Sequence, residues 1–463
     1  MIIKGNLRVF LGAVALLSAV TCLSLTVPCQ AQQTQQSSSA AATRREVWRK
    51  SMKEAPPSEK GCFKASYPST TWQEAACAPP PSVHSLPPRV AGPDVVGNGY
   101  DFAASASGAI SSATGSFPVV VGLESANSYS LQLNTNFFNA SACSGAANPS
   151  ACRGWVQFVF NESTLQVYLE YTLINWGSTH CPAGWGNYTL QSEINCYINT
   201  TAVGVPDQPL SYLPYMELTG KTSGGSNTAI LSTLDGNVSA VVQDGLLGDN
   251  LTEYWDEAEF NVFGDDNDAE VNFNPGTAFV VQTSVNNGTT HAPVCVGPKN
   301  GGTTGETNNL SLVPASAPLC CPYSGSAPSI QFLEGNLTGA TATCGVSALQ
   351  PTFPQQTTSL SDFSWTQQSD PTFSVQVNAQ QGGYAYNGSV TFSYKPEYSG
   401  SWTTICTTSV NPYGVTSCQN DVHTETSQIY TIQASYSGSS NFGSSLTQST
   451  AVGSGAGYFG PPE

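Results

Sequence analysis

Chemistry is offered first by the stretch "DEAEFNVFG", residues 256–264. At a period of two, Ala258, Phe260 and Val262 fall on one face and Glu257, Glu259 and Asn261 on the other. That is the pattern of a strand with one face on a core. A carboxylate on the polar face of such a strand is either solvated or working. A working Glu259 could take a proton from water and hand it to a leaving amine. Other candidate groups are sparse. His84, His180, His291 and His423 are scattered, and no Ser-His-Asp set is readable. "GDDNDAE" (264–270) puts Asp265, Asn267 and Asp268 in a Gly-bounded loop. Such a loop is either a Ca²⁺ site built of oxygen ligands or an acidic hairpin turn. Neither a pair of CxxC motifs, nor a phosphate loop, nor a dinucleotide fingerprint occurs, so no resident metal and no cofactor are expected.

The elements that would position Glu259 are strands. Only 10% of the 463 residues are charged, and long amphipathic helical patterns are nearly absent. The expectation is an all-β protein. Strand candidates follow one another as "SYSLQLNTNFF" (128–138), "GWVQFVF" (154–160), "LQVYLEYTLINW" (165–176), "YMELTGKT" (215–222), "TAILSTL" (228–234), "SAVVQD" (239–244), "EAEFNVF" (257–263) and "TAFVVQTSV" (277–285). Gly, Asn, Asp and Pro punctuate them. Strands of this length and number predict a sandwich of two broad antiparallel sheets over residues 91–345.

Residues 1–31 have the form of a secretory signal, with Lys4 and Arg8 ahead of an apolar run that ends at Ala31. Twelve of the fourteen cysteines lie beyond it. An even count in an exported chain reads as disulfides. Proximity suggests Cys62 with Cys77, Cys143 with Cys152, Cys181 with Cys196 and Cys406 with Cys418. Cys295, Cys320, Cys321 and Cys344 are left to pair among themselves. The expected location is secreted, with no membrane contact after signal removal. Seven of the fourteen basic residues lie between Arg44 and Lys64. Beyond residue 90, four basic residues face 27 acidic ones, a net of −23. Such a surface repels nucleic acid and anionic membranes. Residues 32–90 are Gln/Ser/Ala-rich, then basic, then Cys- and Pro-containing. They read as a flexible spacer or as a basic propeptide that docks onto the acidic body and masks it, with Arg44-Arg45 as a natural cut.

The order of pieces in the large domain resembles the glutamic peptidases, or eqolisins. "GWVQFVF" stands where that family has its Gln strand, the aromatic "LQVYLEYTLINW" follows, and "EAEFNVFG" stands where the family has an Ala-Glu-Phe or Ala-Glu-Trp segment. The resemblance spans roughly residues 100–290. It implies a lectin-like (concanavalin-type) sandwich and an acid endopeptidase whose dyad is Gln157 and Glu259 on the concave face. Trp155, Tyr168 and Glu170 would line the substrate site, and Glu170 and Glu257 are the substitute carboxylates. The Gln NH₂ would donate to the oxyanion of the tetrahedral intermediate, worth about 3 kcal/mol. Three features depart from the family: the early strand is "YSLQLNTNFF", a Cys-containing insertion covers 139–153, and Asn261-Val262-Phe263 stands where an acidic residue is usual. Residues 346–450 carry "GSVTF" and "YSGSSNF", which resemble bacterial immunoglobulin-like repeats and imply a second, non-catalytic β-sandwich. A flexible tail, 451–463, would end the chain. The alternative function is a non-catalytic surface protein or adhesin using the first sandwich on glycans or protein partners. Trp155, Tyr168, Tyr171, Trp176 and Trp185 would then be either a sugar platform or core.

Overall fold

Hydrophobic alternation on both faces of a two-sheet core builds most of this chain. The computed structural model describes residues 44–89, 95–248, 251–298, 304–353, 357–379, 385, 388–398, 400–411, 414–439, 442–455 and 457–462. The signal-like segment lies outside them. The back sheet runs Ser311–Val313, Ser329–Gly335, Ala278–Asn286, Ser112–Val121, Glu217–Ser223, Ser226–Ser232, Asn237–Asp244, Gly61–Ser66, Gln73–Ala75. The front sheet runs Val294–Val296, Ala103–Ser105, Glu257–Gly264, Tyr129–Thr135, Arg153–Asn161, Gln166–Ile174, Glu193–Asn199, Gly186–Leu190. Neighbouring strands along both orders are antiparallel.

Between the sheets lies one core. Ala258, Phe260 and Val262 point into it, with Leu131, Leu133, Val156, Phe158 and Leu169 from neighbouring front strands and Phe117, Leu218, Leu231 and Phe279 from the back. Each fully buried ring or branched chain contributes roughly 1.5–3 kcal/mol. The sheets approach closely enough that glycine is required at Gly115, where a Cβ would fall 1.9 Å from the Phe260 ring. The strand Ser112–Val121 alternates in burial as far as Phe117 and loses the alternation from Pro118 onward. Its register with Ala278–Asn286 slips between Val280 and Gln282. Proline, lacking an N–H, is tolerated at such a bulge.

The stretch expected to be flexible is built into the sandwich from residue 44 onward. Residues 44–54 form a helix that places Trp48 and Met52, one turn apart, against Ala65, Ile230, Val238 and Ala240 on the outer face of the back sheet. The ion pair Lys53–Glu217 ties it down, and Lys60–Asp244 fixes the turn that follows. Arg45 donates to the Leu234 carbonyl at 3.0 Å and Arg49 to that of Tyr215 at 3.1 Å. Gly61–Ser66 then pairs residue for residue with Asn237–Val242.

Six disulfides close the described chain: Cys62–Cys77, Cys143–Cys152, Cys181–Cys196, Cys295–Cys320, Cys321–Cys344 and Cys406–Cys418. The C-terminal module has its own core of Phe373, Val390, Phe392, Ile432 and Tyr436. One sheet holds Thr358–Trp365, Thr372–Ala379 and Val415–Gln419, and the other Thr403–Ser409, Ser389–Pro396, Ile429–Tyr436, Ser445–Gly453 and Phe459–Pro462. That last strand replaces the expected flexible tail, because Phe459 is fully buried among Tyr394, Tyr430 and Phe373. Among the described residues no helix is long and apolar enough to cross a membrane.

Candidate functional site

The second face of the front sheet is polar and yet buried. The register sets Glu259 opposite Asn134, Asn134 opposite Gln157, Gln157 opposite Glu170, and Glu170 opposite Asn199. Directly opposed residues of a ladder share a face, so these five side chains form one row across five strands. Their exposures are 1% for Glu259, zero for Asn134, Gln157 and Glu170, and 7% for Asn199. Solvated decoration is therefore not what the strand 257–264 carries.

Gln157 and Glu259 share this face two strands apart, about 10 Å at the ordinary strand spacing, with Asn134 between them. Asn134 Nδ2 donates to Glu259 Oε2 at 2.8 Å. Gln157 Nε2 donates to Asn134 Oδ1 at 3.0 Å and to Gln132 Oε1 at 3.1 Å. Gln132 Nε2 passes the chain to Ser130 Oγ at 3.0 Å, and Thr304 Oγ1 donates to Gln132 Oε1 at 3.0 Å. Two polar atoms of the same strand make no hydrogen bond: Gln157 Oε1 and Trp155 Nε1. Both residues are fully buried, where an unmade bond costs about 1–3 kcal/mol.

A second set of carboxyls adjoins the row. Asn261 Nδ2 donates to Glu334 Oε2 at 2.7 Å and to Asp101 Oδ2 at 3.2 Å. Asn308 Nδ2 reaches Glu334 Oε1 at 3.3 Å. Asp101, Glu170, Glu306 and Glu334 are all fully buried. Among the described residues none of these four forms an ion pair with a lysine or arginine. A buried carboxyl without a cation favours its neutral form. Burial accordingly pushes Glu306 up to about 7, and raises Glu170 well above the usual carboxylate range. Burial, then the charges of Glu259 and Glu334, raises Asp101. Burial, then Glu259 and Asp256, pushes Glu257 up to about 7.

The remaining sequence candidates sort simply. Tyr168 shares the face of Glu170, in a small cluster with Val159, Ala202 and Ala78. Trp155 meets the Phe137 ring edge-on at 5.7 Å. Tyr171 and Trp176 belong to the core between the sheets, and Trp185 packs partly buried against it. Asp268 pairs with Arg89, and no cluster of His, Cys, Asp or Glu able to hold a metal occurs among the described residues. Sequence reasoning missed Gln132 and Asn134, although their alternation with Leu131 and Leu133 is the same signal that marked Glu259. It also missed Asp101, Thr304, Glu306 and Glu334, which no local pattern marks.

The contacts expected of a basic masking segment fall elsewhere. The cationic helix 44–54 sits on the back sheet, not over this face. The neutral Pro-rich segment after Cys77 is what crosses it. Ala78 exchanges main-chain hydrogen bonds with Ala202 at 2.7 and 3.1 Å. Ser85 N–H points at both Glu170 oxygens, 3.2 and 3.0 Å away.

No family model matches this sequence, and no curated protein matches it either. Two solved structures are similar in part. The FN1–FN3 domains of chicken CNTN1 share 8% identity, with 72% of this chain and 99% of that one covered at a TM-score of 0.16. A stretch of titin domains shares 6% identity, covering 69% of this chain and 98% of that one at a TM-score of 0.13. Likeness at that level carries no argument, and the all-β fold rests on the strands and their pairing.

Proposed function

We propose that this chain is an exported β-sandwich protein whose concave front face hydrolyses peptide bonds in acid, with Glu259 as base and Gln157 as amide partner. The observation that carries the reading is the buried row Glu259–Asn134–Gln157–Glu170, with Gln157 Oε1 and Trp155 Nε1 unpartnered on the same strand. Polar groups held so far from water, at the cost of desolvation, are what a binding or reacting face needs. Glu259 would take a proton from a water lying over Asn134 as the water oxygen attacks the peptide carbonyl carbon. The carbonyl oxygen, now carrying the negative charge, would accept a hydrogen bond from the Gln157 amide. The proton would pass from Glu259 to the leaving nitrogen as the C–N bond breaks and the carbonyl re-forms, which restores the carboxylate. Asn134, donating to Glu259 Oε2, would fix the rotamer of the base. Six disulfides suit an oxidising, extracellular setting.

A second reading, a non-catalytic face for peptide or glycan, is favoured by one contact. Gln157 Nε2 already donates to both Gln132 and Asn134, so the amide must turn before it can serve an oxyanion. The test is the turnover of an unfolded protein substrate at pH 2–5 by wild type and by Gln157→Ala. Loss of one oxyanion donor predicts a fall in kcat on the order of a hundredfold or more. Equal turnover by the variant would remove Gln157 from the reaction.

A further inference from the structure

Residues 78–88, "APPPSVHSLPP", lie on the polar face of the front sheet in the manner of a bound peptide. Their main chain is read by side chains of the sheet. Asn199 Nδ2 donates to the carbonyls of Pro81, at 3.0 Å, and Val83. The Ser85 N–H goes to Glu170. The Leu86 N–H goes to Glu306 Oε1 at 2.8 Å, and the Gly305 N–H to the Leu86 carbonyl at 2.5 Å. His84 stacks on Tyr197 with ring centres 4.3 Å apart and lies 5.0 Å from Tyr188. Leu86 is 5% exposed. Asn199 and Glu170 are neighbours in the polar row, and Glu170 stands directly opposite Gln157. The occupant therefore covers the Asn199–Glu170 end of the polar row, one strand from Gln157.

Composition suits the role. Prolines at 79, 80, 81, 87 and 88 hold the segment extended before it docks and present no N–H that burial would strand. Recognition falls mainly on backbone groups, with the buried leucine and the stacked His84 as the side-chain contacts. The segment contributes few residues to any core: Ala78 packs beside Tyr168, and Ser85, Leu86 and Pro87 are buried. It is anchored upstream by Cys62–Cys77, which would retain it near the face after release.

We infer that the concave face binds extended, proline-flanked peptide, and that residues 78–88 are its resident, displaceable occupant. This rests on the reading of that face as a peptide site, and it names both the peptide class and the device that blocks it.

The test reads binding, so it is independent of hydrolysis. A fluorescein-labelled peptide with the sequence of residues 78–88 is titrated into the full exported chain and followed by anisotropy. Leu86→Asp, which sets a carboxylate at a buried position, serves as the released form, and Glu259→Gln is added to both proteins to prevent cleavage. At least tenfold tighter binding to the Leu86→Asp protein is expected. A folded Leu86→Asp protein that binds no better than its parent overturns the inference. Hydrogen exchange on the unsubstituted chain decides even if that variant fails to fold. The Ser85 and Leu86 amides should open while the strands Arg153–Asn161 and Gln166–Ile174 stay protected. Exchange of those two amides only together with these strands would make the segment a permanent part of the fold and sink the proposal. Binding without any acid turnover would retire the peptidase reading and leave this one standing.

Discussion

Raising the pH should loosen this protein, and Glu306 provides the measure. Its carboxyl is buried, hydrogen-bonded to Thr304 and to the Leu86 N–H, and pushed by burial from 4.5 to about 7. Below pH 4.5 folded and unfolded chains both hold this proton, and the group adds no pH dependence. Between 4.5 and 7 the folded chain keeps the proton that the unfolded chain releases, so stability falls as pH rises. Above 7 both forms are ionised and the loss is complete. At 1.36 kcal/mol per tenfold in proton affinity, the loss between pH 4.5 and 8 is about 3 kcal/mol from this residue. That corresponds to roughly 5–10 °C in Tm. Burial raises Asp101, Glu170 and Glu334 in the same direction. His84, lowered by burial, opposes them below its ordinary value of 6.5, because the folded chain then resists taking a proton. Comparing wild type with Glu306→Gln cancels these shared contributions. Thermal melts by circular dichroism at pH 4.5, 6 and 8 should show the variant's Tm falling less than that of wild type by the stated amount. Identical slopes for the two proteins would refute the claim that this buried carboxyl holds its proton in the fold.

Other perturbations bear on separate links of the account. Gly115→Ala puts a Cβ 1.9 Å from the Phe260 ring and should cost about 1–3 kcal/mol or more through overpacking, read as a lower urea midpoint. Trp48→Ala removes the buried anchor of the helix 44–54 and should cost about 3–5 kcal/mol, with early exposure of that helix to proteolysis. Replacing Cys62 and Cys77 with serine opens a loop of 15 residues and should cost about 3 kcal/mol. Asn134→Leu removes the hydrogen bond to Glu259 and one acceptor of Gln157; about 1–3 kcal/mol of stability should go, together with most acid turnover.

How much of this was legible depended on whether the signal was local. Alternation such as Ala258, Phe260 and Val262 is imposed by the strand itself, so the strand Glu257–Gly264 and its two faces could be read directly. The near-neighbour disulfides were equally local. Whether the polar face is wet is decided by whatever covers it, and the cover comes from residues 78–88 and 304–308, far away in sequence. The helix at 44–54 was hidden because its apolar contacts, Trp48 and Met52, stand among five cationic residues from Arg44 to Lys53, and the surface that receives them, with Glu217 as partner of Lys53, belongs to strands far away in sequence. Phe459 looked like part of a tail because its pocket is built by Tyr394, Tyr430 and Phe373. Register alone, invisible in sequence, brought Asn134 between Gln157 and Glu259.

The measurement closest to the central claim is the acid cleavage of a denatured protein substrate between pH 2 and 5. Wild type preincubated in acid is compared with Glu259→Gln, both shown to be folded by circular dichroism. Turnover by wild type and none by the variant is the expected result. A folded wild type that cleaves nothing, or a variant that cleaves as well as wild type, would contradict the assignment of Glu259 as the base.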